Sequence, residues 1–206
     1  APSLPFGAAG GVPASMGVVD GDGQIPYKPE ALAKKKDNAD HWLERDPELK
    51  CYLPGIPRAN YLPYPFQIVQ GTDKVEMAYA FSNGARTIHL NEVEPPPDDL
   101  WMGHSTAKWE GDTLVVDVAH FNDKTWLDRL GHPHSEELHL VERFRRVDAN
   151  TLQIDLTIDD PKAYAKPWTV QLRYTLRPPE WRILELVCED DATFTDFEKI
   201  AAAPAK

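Results

Sequence analysis

The chain has 206 residues, a formal net charge of -11, 42% hydrophobic residues and 27% charged residues. That length fits one domain with a sizeable hydrophobic core. The negative charge repels phosphate backbones and anionic lipid, and no apolar run approaches the ~20 residues of a membrane span. We therefore expect neither nucleic acid as a partner nor insertion into a membrane. We expect a small molecule as the partner.

The first part of the chain predicts an arm followed by a helix. Residues 1–27 are rich in Gly, Ala and Pro without periodicity, which predicts an extended arm before a single domain over residues 28–206. Pro29 begins a predicted helix that ends near Arg45, because Asp46-Pro47 stops it. The proline-rich and tyrosine-rich segment 51–66 excludes a helix or a central strand. Such a segment packs aromatics on a core or lines the mouth of a pocket.

From residue 66 onward the dominant hydrophobic period is two, which predicts short strands separated by turns. The predicted strands are Phe66–Gln70, Val75–Ser82, Arg86–Leu90, Met102–Trp109, Thr113–Phe121, Leu138–Val147, Leu152–Ile158, Trp168–Leu176 and Arg182–Cys188. One apolar and one polar face on sequential antiparallel strands predict a mainly β fold, a single up-and-down barrel of lipocalin-like shape. A β-sandwich is the alternative. A short helix is predicted over Thr193–Ala203.

Six of the seven histidines fall between His89 and His139. Imidazole titrates near neutral pH and is the commonest metal ligand, so this cluster indicates acid–base chemistry or a metal. In the first interpretation, His134 or His104 acts as general base or acid. Asp123 or Asp128 orients it, and an arginine stabilises a developing oxyanion. The predicted catalytic residues are His104, Asp123, Arg129, His134, His139 and Glu142. The predicted substrate-binding residues are Arg58, Tyr61, Tyr64, Asn122, Trp126 and Arg143.

In a second interpretation a divalent metal is held by His104, His134 and His139. The His132-x-His134 pair is similar to the first metal motif of cupin barrels. Leu138 stands where that motif has a glutamate, and no histidine follows His139, so the sequence commits to no metal and no certain cofactor, and a divalent metal stays a possible one. In a third interpretation, these histidines only lie on the solvent face of the sheet.

Two cysteines, Cys51 and Cys188, stand far apart in sequence. In an oxidising compartment they would pair, whereas the alternative is two unrelated buried thiols. The absence of CxxC pairs argues against a cysteine-based zinc site.

The stretches CYLPGIPR, GHSTAKWEGDTLVVD and FNDKTWLDRLGHPHSEELHLVER resemble motifs of a large family of secreted, mostly uncharacterised bacterial proteins. The resemblance covers roughly residues 28–190 and brings no established reaction. It implies a periplasmic or extracellular location, with a signal peptide removed before Ala1, and it favours the Cys51–Cys188 disulfide. His132 is not part of the pattern.

These observations lead to one leading functional hypothesis and two alternatives. The leading hypothesis is a secreted barrel enzyme, a lyase or isomerase, that acts on a small aromatic or carbohydrate-derived molecule by acid–base catalysis. The alternatives are a periplasmic carrier barrel without catalysis and a histidine-ligated metal enzyme. The sequence leaves a homo-oligomer open.

Overall fold

The computed structural model describes residues 18–19, 21–62, 64–184, 186 and 188. The helices are α1 (Pro29–Asp40), α2 (Trp42–Arg45) and α3 (Arg58–Tyr61), with 3₁₀ turns at Pro47–Lys50 and Phe81–Asn83. The strands are β1 (Val18–Val19), β2 (Phe66–Gln70), β3 (Lys74–Tyr79), β4 (Ala85–His89), β5 (His104–Glu110), β6 (Thr113–Ala119), β7 (His139–Arg146), β8 (Thr151–Asp159) and β9 (Trp168–Thr175). The eight longer strands match predicted ones to within a few residues.

The strands form one mixed sheet in the order β1-β9-β8-β7-β6-β5-β4-β3-β2, curled into an open half-barrel. Neighbouring strands are antiparallel except β4 and β5, which pair in parallel at Ile88 and Ser105. The connection over residues 90–103 is long and carries the chain back past β4. As a result, β5 runs in the same direction as β4, whereas a tight turn would have made the two strands antiparallel. The predicted mainly β class is confirmed, but the structure differs from the predicted closed, wholly antiparallel barrel.

The concave face of the half-barrel holds the core, because alternate residues of each strand point to the same side. Ile154, Leu156 and Ile158 of β8 are fully buried, as are Val116 and Val118 of β6. A plug over residues 53–62 fills the concave face from one end, and its Ile56 and Ala59 join this core. The plug brings polar side chains of α3 against the sheet.

The two ends of the curled sheet approach each other without pairing. Phe66 of β2 contacts Tyr174 of β9, with ring centroids 5.1 Å apart and planes at 76°. Among the described residues no backbone pairing joins these two strands. We call this junction the β2/β9 seam.

Several sequence predictions differ from the structure or lie outside its described part. The predicted helix from Pro29 to Arg45 is interrupted at His41, which separates α1 from α2. The predicted strand Arg182–Cys188 is absent from those of its residues that the structure describes. The predicted helix over residues 193–203, and most of the arm over residues 1–27, lie outside the described residues.

The predicted disulfide between Cys51 and Cys188 is present, and it ties the start of the plug to the segment that follows β9. Within the described part of the chain, no helix is long and apolar enough to cross a membrane.

Candidate functional site

The loop between β6 and β7 holds an Asp–His dyad. Asp128 and His132 lie four residues apart, and His132 Nδ1 is 2.6 Å from Asp128 Oδ2. The chain folds back here because Gly131 has a φ of +81°, and Asn38 of α1 packs so closely that an added Cβ would lie 2.8 Å from its own Cβ. Only glycine combines this conformation with this approach at low cost. The turn thereby places His132 over Asp128.

Asp128 is fully buried, and its other oxygen is engaged, since Oδ1 accepts a hydrogen bond from Leu130 N at 2.8 Å. That bond fixes the carboxylate and leaves Oδ2 for the imidazole. Oδ2 and His132 Nδ1 have no hydrogen-bond partner among the described residues, and they face each other at 2.6 Å as an ion-pair contact.

A series of aromatic side chains extends from the dyad. The ring centroid of Tyr27 lies 5.9 Å from that of His132 and 5.4 Å from that of Tyr164, which in turn lies 5.3 Å from the ring of Trp168. The Tyr27 hydroxyl and Trp168 Nε1 are buried without a hydrogen-bond partner. We call these residues, with Asp128, the dyad site.

The tyrosines of the dyad site keep their protons at neutral pH. Burial raises the pKa of Tyr27 well above its usual value, and the negative charge of Asp128 adds to the effect. Burial, then the neighbouring Tyr27, raises the pKa of Tyr164 still further. Tyr164 uses its proton to bond the Pro133 carbonyl at 2.8 Å, whereas Tyr27 has a proton to donate and no acceptor.

A second polar group, which we call the interior cluster, lies on the concave face. Its members are Asn60, Tyr79, Arg86, Ser105, Glu142 and Tyr174. Arg86 donates to Glu142 through Nη2 and to Ser105 Oγ through Nε at 2.9 Å. Asn60 of α3 donates to the other Glu142 oxygen at 2.9 Å and accepts from Tyr79 at 2.7 Å. The predicted catalytic residue Glu142 is thus paired inside the half-barrel.

A third buried group contains the predicted residues Arg58, Arg129 and Trp126. Glu48 accepts hydrogen bonds from Arg129 and from Arg58, and the Arg58 guanidinium lies 5.9 Å from the Trp126 ring centroid. Burial alone would raise the pKa of Glu48, but the hydrogen bond from Arg129 and the charge of Arg58 hold it below its usual value. These contacts join the 3₁₀ turn, the plug and the β6–β7 loop, so we interpret this group as structural.

His134, a predicted catalytic residue, is buried in a different part of the loop. Its Nδ1 lies 3.0 Å from the Ser135 carbonyl oxygen, which can only accept, so Nδ1 carries the proton. Its Nε2 then accepts from the Thr125 hydroxyl at 2.7 Å. Burial lowers the pKa of His134, although the Ser135 carbonyl partly opposes the shift. Both nitrogens are engaged, which favours a structural role.

The structure does not bring His104, His139 and Asp123 together with the dyad site. His104 lies on the convex face, where its ring stacks on His89 at 5.4 Å. His139 lies on the same face and contacts Asp117 at 2.8 Å. Asp123 is exposed in the loop. Among the described residues, no group of three or more His, Cys, Asp or Glu side chains is arranged to hold a metal, so the metal set His104, His134 and His139 does not assemble.

The remaining predicted substrate-binding residues are dispersed. Asn122 accepts a hydrogen bond from Lys124 N at 3.2 Å, and the Tyr64 ring stacks on Phe81 with centroids 5.6 Å apart. Arg143 donates to Glu110 on the convex face at 2.9 Å. Tyr61 belongs to α3, and its side chain lies outside the described part of the structure.

Sequence reasoning identified Glu142 and Asp128 but missed most of the other residues of the two polar clusters. It considered His132 only in a metal motif that it set aside, and it did not single out Tyr27, Tyr164 or Arg86. One available signal was the four-residue spacing of Asp128 and His132 around Gly131, which allows a tight turn to join them. Another was Arg86, a charged residue in phase with the apolar Ile88 on the concave side of β4.

Comparison of the chain with family models, with curated proteins and with solved structures found no match.

Proposed function

We propose that the protein is an enzyme of the lyase or isomerase type that acts on a small organic molecule at the dyad site. The observation that carries the proposal is the 2.6 Å approach of His132 Nδ1 to a buried carboxylate oxygen of Asp128. A buried carboxylate beside one ring nitrogen fixes the imidazole tautomer and leaves the other nitrogen as a base. In this proposal His132 replaces His134 and His104 as the base, and Asp128 keeps its predicted orienting role.

The proposed chemistry depends on the polar atoms of the dyad site that are not already engaged in hydrogen bonds. The contact with Asp128 is made through His132 Nδ1, which leaves the Nε2 lone pair to take a proton from a carbon or hydroxyl of the substrate. Asp128 stabilises the imidazolium that forms. The neutral Tyr27 hydroxyl and Trp168 Nε1 supply donors for an oxyanion that develops on the substrate. Abstraction of a proton next to a carbonyl begins isomerisation and elimination, whereas abstraction from a β-hydroxyl begins retro-aldol cleavage.

The walls of the site favour a flat, mainly apolar substrate. The rings of Tyr27, Tyr164 and Trp168 form a continuous series with neighbouring centroids 5.3 and 5.4 Å apart. Aromatic walls with a few fixed polar atoms are typical of small-molecule sites. Within the predicted substrate classes, this favours an aromatic carbonyl compound over a carbohydrate.

A secreted location belongs to the same proposal. The Cys51–Cys188 disulfide supports it, because disulfides persist in oxidising compartments such as the periplasm and the extracellular space.

The test is hydrogen–deuterium exchange in D₂O, which detects proton abstraction from carbon whatever product is formed. A panel of aryl ketones, aryl-substituted hydroxy ketones and ketoses is incubated with the protein and followed by NMR. We expect deuterium uptake or product formation for at least one aromatic compound. In His132→Asn the rate falls about 10²- to 10⁴-fold, and Asp128→Asn also loses most of it because the tautomer is wrong.

His41→Asn is the matched control, since His41 is an exposed histidine at the end of α1 and is distant in sequence from the dyad. Its rate should equal that of the wild type. If His132→Asn also retained the wild-type rate while folded, the proposed base would be wrong.

The second candidate is a carrier that binds a small molecule without chemistry. It is favoured by the interior cluster, where both oxygens of Glu142 already accept hydrogen bonds, from Arg86 and from Asn60, and neither is left free to take a proton from a ligand. Tight binding of a panel compound without deuterium uptake or turnover would support the carrier over the enzyme.

A further inference from the structure

Two buried hydrogen-bond donors of the interior cluster have no partner. They are Arg86 Nη1 and the Tyr174 hydroxyl. Arg86 is only 2% exposed, and its other guanidinium nitrogens already bond Glu142 and Ser105. Native proteins pair nearly all buried donors, so two unpaired donors in one cluster indicate a place where another molecule supplies an acceptor.

The two donors are close to the same pair of residues. Hydrogen bonds link Tyr79 through Asn60 to Glu142 and hence to Arg86. The Phe66 ring contacts both Tyr79 and Tyr174, which places the Tyr174 side chain beside the same group. The Tyr79 hydroxyl is itself engaged as a donor to Asn60. The two free donors therefore lie beside side chains whose other polar atoms are already hydrogen-bonded to one another.

The cluster lies beneath the β2/β9 seam. Phe66, which is only partly buried, covers both tyrosines of the cluster, with ring centroids 5.1 Å from Tyr174 and 5.8 Å from Tyr79. The backbone of Phe66 pairs with Tyr79 of β3, so access at the seam requires only a rotation of the half-buried Phe66 side chain. Aromatic rings line this junction.

We propose that the β2/β9 seam is a binding site for a small, uncharged aromatic molecule whose carbonyl oxygen accepts the hydrogen bonds left free by Arg86 and Tyr174. This site uses none of the residues of the dyad site. It therefore stands whether or not the proposed enzymatic function is correct.

Charge decides between a neutral and an anionic ligand. The Arg86 guanidinium is already balanced by Glu142, and both side chains are at most 1% exposed. A carboxylate ligand would bring a second negative charge into the same buried volume without a second cation, which is strongly unfavourable. A carbonyl oxygen satisfies the free donors and adds no net charge.

Three probes of similar shape test the proposal, namely acetophenone, ethylbenzene and benzoate. Their binding to the whole chain is measured by calorimetry and by NMR titration at neutral pH. We expect acetophenone to bind roughly tenfold or more tightly than ethylbenzene, which lacks the oxygen, and than benzoate, which carries the charge. Equal binding of acetophenone and ethylbenzene, tighter binding of benzoate, or no binding of acetophenone would each overturn the proposal.

Tyr174→Phe assigns the contact, because it removes a hydroxyl that has no partner and should leave the fold intact. It should weaken acetophenone binding about three- to tenfold and leave ethylbenzene binding unchanged. Tyr52→Phe is the control, since that tyrosine is exposed and its variant should bind all three probes as the wild type does. An unchanged acetophenone affinity in a folded Tyr174→Phe variant would contradict the assignment. Because the dyad site is also proposed to take aryl ketones, His132→Asn is measured in parallel. Loss of acetophenone binding in His132→Asn but not in Tyr174→Phe would place the probe in the dyad site and overturn the seam proposal.

Discussion

The Arg86–Glu142 pair gives the sharpest stability prediction, because it is the most completely buried ion pair among the described residues. Its side chains are 1% and 0% exposed. Removing one partner leaves the other charge buried and uncompensated, which costs about 3–5 kcal/mol. We therefore expect Arg86→Met and Glu142→Leu each to lower the free energy of unfolding by about that amount.

The double variant should be much less damaging than the sum of the single variants. With both charges gone, the remaining loss comes from Ser105 and Asn60, each of which loses one hydrogen bond worth about 1 kcal/mol. The double variant is thus expected to lose about 2 kcal/mol, which implies a coupling free energy of about 4 kcal/mol or more.

Urea titrations followed by circular dichroism give the free energy of unfolding of the wild type, the two single variants and the double variant. The disulfide is kept oxidised in every protein. The exposed Arg143–Glu110 pair on the convex face is the control, and its coupling should be close to experimental error. If the losses for Arg86 and Glu142 simply added, the inference that this pair is a desolvated and mutually dependent unit would be wrong.

Three further predictions concern elements around the candidate sites. Reducing the Cys51–Cys188 disulfide, whose cysteines are 137 residues apart, should lower the free energy of unfolding by about 5 kcal/mol in the chain-entropy model. Gly131→Ala should lower both the melting temperature and the deuterium-exchange rate, because its φ of +81° and the adjacent α1 leave no room for a methyl group. Burial lowers the pKa of His134 in the folded state, so the unfolded state takes up a proton more readily. Stability should therefore fall as pH drops below the usual value of about 6.5, and less so in His134→Gln.

Each of these predictions has its own control and contradictory outcome. Reductant should not change the stability of a Cys51→Ser, Cys188→Ser double variant, and an unchanged wild type would show that the bridge contributes nothing. Gly111→Ala tests positive φ alone, since nothing lies within 4 Å of its added Cβ. An equal loss in both glycine variants would contradict the packing argument. If His134→Gln followed the wild-type pH profile between pH 7 and 5, His134 would not be the responsible group.

Most of the strands could be predicted because their signal is local. Leu152, Ile154, Leu156 and Ile158 alternate with polar residues, and β8 contains this whole run as a pleated strand with one buried face. Alternation says nothing about which strands become neighbours or in which direction they run. The parallel pairing of β4 with β5 depends on the path of residues 90–103, which have no period, so it could not be read from the pattern.

The candidate sites depended on contacts between distant residues, which is why only part of each was predicted. Glu142 and Asp128 were identified as functional carboxylates, but their partners Arg86 and His132 were not. Arg86 reaches Glu142 in the core only because the strands between them in the half-barrel pair with one another. The prominence of three nearby histidines in sequence favoured His134, yet the fold uses that imidazole to tie Thr125 to the Ser135 carbonyl.

Two buried aspartates differ in how fully their oxygens are hydrogen-bonded. Asp160 is 1% exposed, and its oxygens accept hydrogen bonds from Ser135 N and Oγ, from Lys162 N and from Ala163 N. Asp128 is buried as deeply, but its Oδ2 faces only His132. Burying an oxygen without a full set of donors costs about 1–3 kcal/mol, so a chain that fully satisfies Asp160 has no structural need to leave Asp128 open. In the proposed function, this open oxygen stabilises the proton that His132 gains and then loses.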